Sequence, residues 1–399
     1  MQQSTFPKNR LLAQHRILTL ALGLLLSSSL AATASAQDAM GQSIFKVVPT
    51  PNDNPNDILL AVSASSPSDI WAVGETAIHY DGTEWKAFRV SMIQGLNNGQ
   101  LMGVADISPT DAWAAGFADT DEFGPPNQVI EHWDGTQWSL FPNPPFPPNA
   151  QPTPRAMTAI DGHDIWAVGN EPVSASFLFE HWDGTAWTVT EVPDTDGLLF
   201  GASADASNDV WAVGISGFAE ESSTTLVFHF DGTAWQQAAS ANTGVADQLN
   251  AVVALAPNDV WAVGSTFKAE HTAALTLIEH YDGTAWSVVP SPNIGPHSSL
   301  QSNVLNGITA LSPTDIYAFG SVVAADGSEE FSTLVLHWDG TAWTVIPSPD
   351  PPGKGGLLDV LYAGVSPAPG SLWIVGTEHL APGDGSLAIH TTEAVPMKP

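Results

Sequence analysis

VIEHWDGTQW, residues 129–138, decides the fold, because nearly the same phrase returns five more times. It reads IHYDGTEW at 78–85, FEHWDGTAW at 179–187, VFHFDGTAW at 227–235, IEHYDGTAW at 278–286 and VLHWDGTAW at 335–343. In each copy a β-type run ends at an aromatic residue, Asp-Gly makes a tight turn, and Trp opens a second run. That is the pattern of a hairpin. A hairpin repeated along the chain marks one small unit built many times, which sets the architecture before any other feature.

A second phrase, D-I-W-A-V-G, precedes each hairpin, so that Trp71, Trp113, Trp166, Trp211, Trp261, Tyr317 and Trp373 occupy equivalent places 42 to 56 residues apart. In the unit that starts at Leu249, LNAVVAL, VWAVG, LTLIEHY and AWSVVP read as four strands. The first and last joints, A-P-N-D and D-G-T, are short; the middle one is long and variable. Seven such units predict an all-β chain: a seven-bladed β-propeller with four antiparallel strands per blade. The blades are expected at approximately 57–90, 100–142, 155–193, 197–240, 248–290, 304–347 and 357–392.

The seventh unit lacks its fourth strand, since only AIHTTEA stands at 388–394. IFKVVPTPN at 44–52 matches the fourth-strand pattern WSVVPSPN at 286–293. The N-terminal strand, 44–49, is therefore expected to close the last blade and remove an open sheet edge. All fifteen Trp fall on repeat positions: six in second strands, Trp133, Trp182 and Trp338 before D-G-T, and six after it. Aromatics at fixed strand positions suit the packing of one twisted sheet on the next.

A hydrophobic second strand ending in Gly, an aromatic-Asp pair and a following Trp, as in Val73-Gly74, Tyr80-Asp81 and Trp85, resemble the kelch repeat. The resemblance spans residues 42–392 and implies a β-propeller. This version is divergent, with a single Gly after the second strand and a shortened aromatic-Asp-Gly-Thr-x-Trp hairpin.

Residues 1–36 read as a signal peptide: Lys8, Arg10 and Arg16, then ILTLALGLLL, then Ala34-Ser35-Ala36. A secreted product, extracellular or periplasmic, is expected after cleavage near Ala36, leaving 37–399 as the propeller. Loss of those three basic residues takes the net charge from −32 to −35. Such a surface repels nucleic acid and anionic lipid, and no later segment is apolar enough to span a bilayer. A monomer with no nucleic-acid or membrane partner is expected. The absence of cysteine excludes disulfides and thiol chemistry.

His79, His132, His181, His229, His280 and His337 recur one residue before the third-strand aromatic, and His390 holds the equivalent place before Thr391. Equivalent positions on separate blades cannot converge on one ion at the ~2 Å that ligation needs. A structural hydrogen-bonding role is expected. The Asp that opens each second strand and the Asp of each D-G-T are both expected to bond nearby backbone.

Exceptions to the repeat concentrate in the connections between second and third strands and between blades, which a meander brings to one face. That face carries the candidate binding residues Asp119, Asp121, Glu122, Glu220, Glu221, Glu270, His271, Glu329, Glu330, Glu378 and His379. No loop has the EF-hand spacing, so no cofactor is expected, with calcium the one ion such oxygen-rich loops would suit. Only Arg89 and Arg155 follow the signal, too few for an arginine triad of the sialidase kind. No catalytic residue is singled out. The expected function is non-enzymatic binding of an extracellular protein or polysaccharide through the loop-rich face. The alternative is a carbohydrate-active hydrolase or lyase using face carboxylates.

Overall fold

A computed structural model describes residues 43–51, 57–90, 99–119, 126–193, 196–217, 223–244, 246–267, 273–295, 302–323, 331–349, 359–380 and 383–391. The expected signal peptide, 1–36, lies outside the described residues. The unit from Gln42 onward holds seven four-stranded antiparallel sheets, and no helix occurs among the described residues. This is the seven-bladed β-propeller that the repeat predicts.

Every blade is a meander. In blade 1 the strands Leu59–Ser66, Asp69–Gly74, Ala77–Tyr80 and Trp85–Phe88 lie side by side in chain order. The first strands of successive blades touch one another, and that of blade 7 (Val360–Ala368) touches that of blade 1, so they form the inner ring. Fourth strands lie at the outer edges.

Blade 7 takes its fourth strand from the N-terminal side: Phe45–Val47 pairs antiparallel with Gly383–Thr391, Phe45 opposite Thr391. A side-chain latch repeats there too. Thr276 Oγ1 meets Ser291 Oγ at 2.8 Å in blade 5, and Thr333 meets Ser348 at 2.7 Å in blade 6. In blade 7 Ser386 donates to Thr50 Oγ1 at 2.8 Å. Thr50-Pro51 thus does for the borrowed strand what Ser-Pro does elsewhere.

The blades adhere through aromatics. Trp71 of blade 1 lies 4.9 Å from both Trp133 and Trp138 of blade 2, centroid to centroid. Trp113 meets Trp182 and Trp187 in the same way, and Trp211 meets Tyr281 and Trp286. At the seam, Tyr317 of blade 6 packs edge-on against Phe45, which stands where other blades have the fourth-strand Trp. Trp373 of blade 7 then meets Tyr80 and Trp85 of blade 1. Such contacts contribute ~0.5–1.5 kcal/mol each beyond their buried area, so the ring closes on a continuous belt.

One face carries the tight turns. In all six D-G-T turns the Asp Oδ1 accepts from the Thr backbone N, the Thr hydroxyl and the following N, as Asp183 does at 2.8, 2.6 and 2.9 Å. The turn glycines have φ between 86° and 92°, a region that side chains with a Cβ disfavour. The opposite face carries the connections that differ from blade to blade.

Every first strand is bulged twice, each time leaving its side of the ladder a residue out of step with the second strand. The bulge nearer the variable face falls at Leu60, Met102, Arg155, Phe200, Asn250, Asn306 and Tyr362, between consecutive paired residues. All seven are half-buried.

Candidate functional site

The recurring histidines are bound inside their own blades. Nε2 of His79, His132, His181, His229, His280 and His337 donates to the Asp that opens the adjacent second strand, at 2.5–2.9 Å. Each ring also packs on the second-strand aromatic, with centroids 4.1–4.6 Å apart in these six blades. In blades 2, 3 and 5 the indole Nε1 of that Trp donates to the same Asp, as Trp166 does to Asp164 at 3.0 Å. The expectation that these Asp bond nearby backbone is corrected: they join the His and Trp side chains of two strands. Their position at a turn hid this, because the partner lies ten or more residues away in the chain.

Blade 7 departs from the pattern. It has Ser371 where the others have Asp, and Ser371 Oγ lies 3.0 Å from His390 Nε2. Burial and the nearby Lys46 push the His390 pKa down to about 4.

Three buried glutamates escaped the sequence reading. Glu131, Glu180 and Glu279 precede the histidine in blades 2, 3 and 5, where the other blades have Ile78, Phe228, Leu336 and Ile389. Gln128 Nε2 donates to Glu180 at 2.7 Å, and the backbone N of Ala241 donates to Glu279 at 3.2 Å. Burial raises the Glu180 pKa to about 8 and that of Glu279 to about 7. The available signal was an acid in a column otherwise apolar.

Asp106 is a similar exception on an inner strand, where the equivalent residues are Ala64, Ala159, Ala204, Ala254, Ala310 and Ser366. Burial, then the neighbouring Asp69, raise its pKa to about 8. It accepts from the backbone N of Ser65 at 2.9 Å, so it ties blade 1 to blade 2.

On the variable face, Asp121, Glu122, Glu220, Glu221, Glu270, His271, Glu329 and Glu330 lie outside the described residues. Asp119 ends the second strand of blade 2, opposite Pro126, and the backbone of His379 stands opposite that of Asp384 in the ladder of blade 7. Glu378 is half-buried on that rim, and burial, then the charge of Asp359, raise its pKa. Other acids of this face serve its loops. Glu171 accepts from the backbone N of Gln151, Val173 and Ser174, and Asp247 from those of Thr243 and Gly244. The connections that form this face also carry phenylalanines: Phe267 is exposed, Phe117 and Phe146 are half-buried, and Phe123 and Phe218 lie outside the described residues.

No protein-family model matches this chain, and no curated protein matches it significantly. Solved structures do share its fold. YCF48 bound to a D1 peptide is 15% identical with a TM-score of 0.56, covering 89% of this chain and 99% of its own. The GH74 xyloglucanase from Xanthomonas campestris is 12% identical with a TM-score of 0.53, matching 86% of this chain and 55% of the enzyme. A polysaccharide lyase of family PL25, an ulvan lyase, is 10% identical with a TM-score of 0.51, over 84% of this chain and 93% of its own. At these identities the likeness extends to the fold alone.

Proposed function

We propose that this chain is an exported, non-catalytic binding propeller of divergent kelch-like type that engages an extracellular protein or polymer through its variable face. The observation that carries this reading is the contrast between the two faces. One has six turns with the same hydrogen bonds, while the other has connections of different length and sequence on the same scaffold. A rigid frame with one variable face is how scaffolds present recognition loops. The histidines and second-strand aspartates, which a hydrolytic site could recruit, are engaged in holding each blade together. A peptide-bound propeller of matching length supports the binding reading.

The test is a panel of extracellular proteins and polysaccharides, assayed for saturable capture and for product release. Capture without turnover, weakened by neutralising Asp119, Asp121, Glu122, Glu329 and Glu330 to Asn and Gln, is expected. Depolymerisation of a polysaccharide that is lost when one face carboxylate is replaced would install the hydrolase or lyase reading instead.

A further inference from the structure

Among the described residues, Arg155 is a cation without a counterion in a strongly acidic protein. It occupies the bulge position of the first strand of blade 3, one of the seven half-buried residues that ring the propeller axis just inside the variable face. Its Nε is buried with no hydrogen-bond partner, and among the described residues no carboxylate forms an ion pair with it. The sequence carries 42 Asp and Glu against 10 Lys and Arg, so an unpaired guanidinium is not explained by a shortage of acids. Burial lowers its pKa, which is the mark of a charge short of compensation. Leaving a buried charged donor unmatched costs free energy that an incoming acceptor would recover.

The neighbours on the ring show what shape of ligand fits. Asn250 Nδ2 donates to the backbone O of Leu305 at 2.8 Å, and Asn306 Nδ2 to that of Leu361 at 3.0 Å, each in the next blade. Arg155 likewise reaches the next blade, where its guanidinium carbon lies 5.8 Å from the ring centroid of Phe200. The collar side chains therefore run sideways around the axis. First strands are sheet edges, so their backbone groups on that side have no strand partner, and the two Asn amides serve carbonyls of this kind. Leu60, Met102, Phe200 and Tyr362 make the rest of the collar apolar or aromatic.

We infer that this axial collar receives a single carboxylate, presented to Arg155 by an extended peptide. A guanidinium is a planar fork that matches a carboxylate in two parallel hydrogen bonds. Side chains of neighbouring blades take some of these edge groups, as Asn170 does with Leu199 N and Ser203 with Ala254 N; the inner-edge positions that no side chain takes suit the alternating N–H and C=O of a peptide, as edge strands do in strand addition. A polyuronate has no such alternation, and its remaining charges would meet an acidic rim that includes Glu378 and Asp359. The inference rests on the binding reading above and gives its variable face an axial anchor.

The test uses the full chain, two forms of one short peptide (Ac-Gly-Ala-Phe with a free or an amidated C-terminus) and polygalacturonate. The Nε–H resonance that disappears in Arg155→Met identifies Arg155 in a 15N-labelled sample. The free acid should shift that resonance saturably and bind at least about tenfold tighter than the amide, since one charge-assisted pair is worth ~1.5–3 kcal/mol. Arg155→Met should bind both forms alike. The acid–amide comparison is made on the unsubstituted chain, so it stands even if the variant folds poorly. Equal binding of acid and amide, an unmoved Arg155 resonance, or a response to polygalacturonate alone would overturn the inference. Partner capture by the loops that persists unchanged in Arg155→Met would also overturn it while leaving the binding reading intact.

Discussion

Glu180 shows how far one side chain can set the pH response of a repeat protein. In the unfolded chain its carboxyl titrates near the ordinary value of 4.5, whereas in the blade burial raises the pKa to about 8. Between those values the folded state holds a proton that the unfolded state has lost, so stability declines as pH rises through that window. Asp106 and Glu279 act in the same direction. The D-G-T aspartates act oppositely at acid pH: the Thr185 hydroxyl and the turn's backbone N–H groups lower the Asp183 pKa to about 2, so their contribution fades only in strong acid. Glu180→Gln keeps the shape and the partner Gln128 but cannot ionise. The variant should melt close to the parent at pH 5 and above it by ~3 °C or more at pH 9, taking ~2–4 °C per kcal/mol for a domain of this size. Scanning calorimetry across that range checks it, and an offset that does not change with pH would show that Glu180 is ionised throughout.

At the scale of strands and turns, much is legible in the residues themselves. Asp-Gly-Thr between an aromatic and a Trp names a hairpin, and each such hairpin stands where it was expected. Three features were hidden for physical reasons. A β-bulge needs one extra residue and no special side chain, so nothing in Leu60, Met102 or Arg155 announces it. The Asp164–His181 bond joins residues 17 apart, and local turn chemistry explained Asp164 well enough to conceal it. The buried glutamates sat in the repeated phrase itself, beside the recurring His and Asp on which its reading rested. The turns bring a sharper test. Gly184 has φ 86°, and a Cβ there would come within 2.4 Å of His163 in the facing turn. Gly184→Ala should therefore lose more than ~1 kcal/mol, the usual penalty for a left-handed residue with a Cβ, with the clash added. Urea denaturation measures this, and a loss below that figure would mean the facing turn yields freely.

For the whole molecule, stability depends on closing the circle. Each blade packs its second-strand aromatic on the next, so six complete blades would still leave two unmatched faces at a gap. The strand Phe45–Val47 is only three residues long, yet it completes the seventh sheet and places Phe45 against Tyr317. Ser43 Oγ also donates to the backbone O of Pro347 at 2.9 Å, and Thr50 to that of Ser386 at 2.7 Å. The closing segment thus bonds to blade 6 as well as to blade 7. Removing everything through residue 50 should leave the strand Gly383–Thr391 as a bare edge and Tyr317 without its aromatic partner from the closing strand. The expected result is a lower melting temperature, loss of a single cooperative transition, and aggregation through the exposed edge. A synthetic peptide of residues 43–52 added in trans should restore much of the transition, because it supplies the missing hydrogen bonds and ring contact without covalent linkage. Phe45→Ala in the intact chain should fall between the two, since it removes the ring and keeps the strand. If the truncated chain melts as one soluble unit at the parent temperature, the ring is held by its aromatic belt alone and the borrowed strand is dispensable.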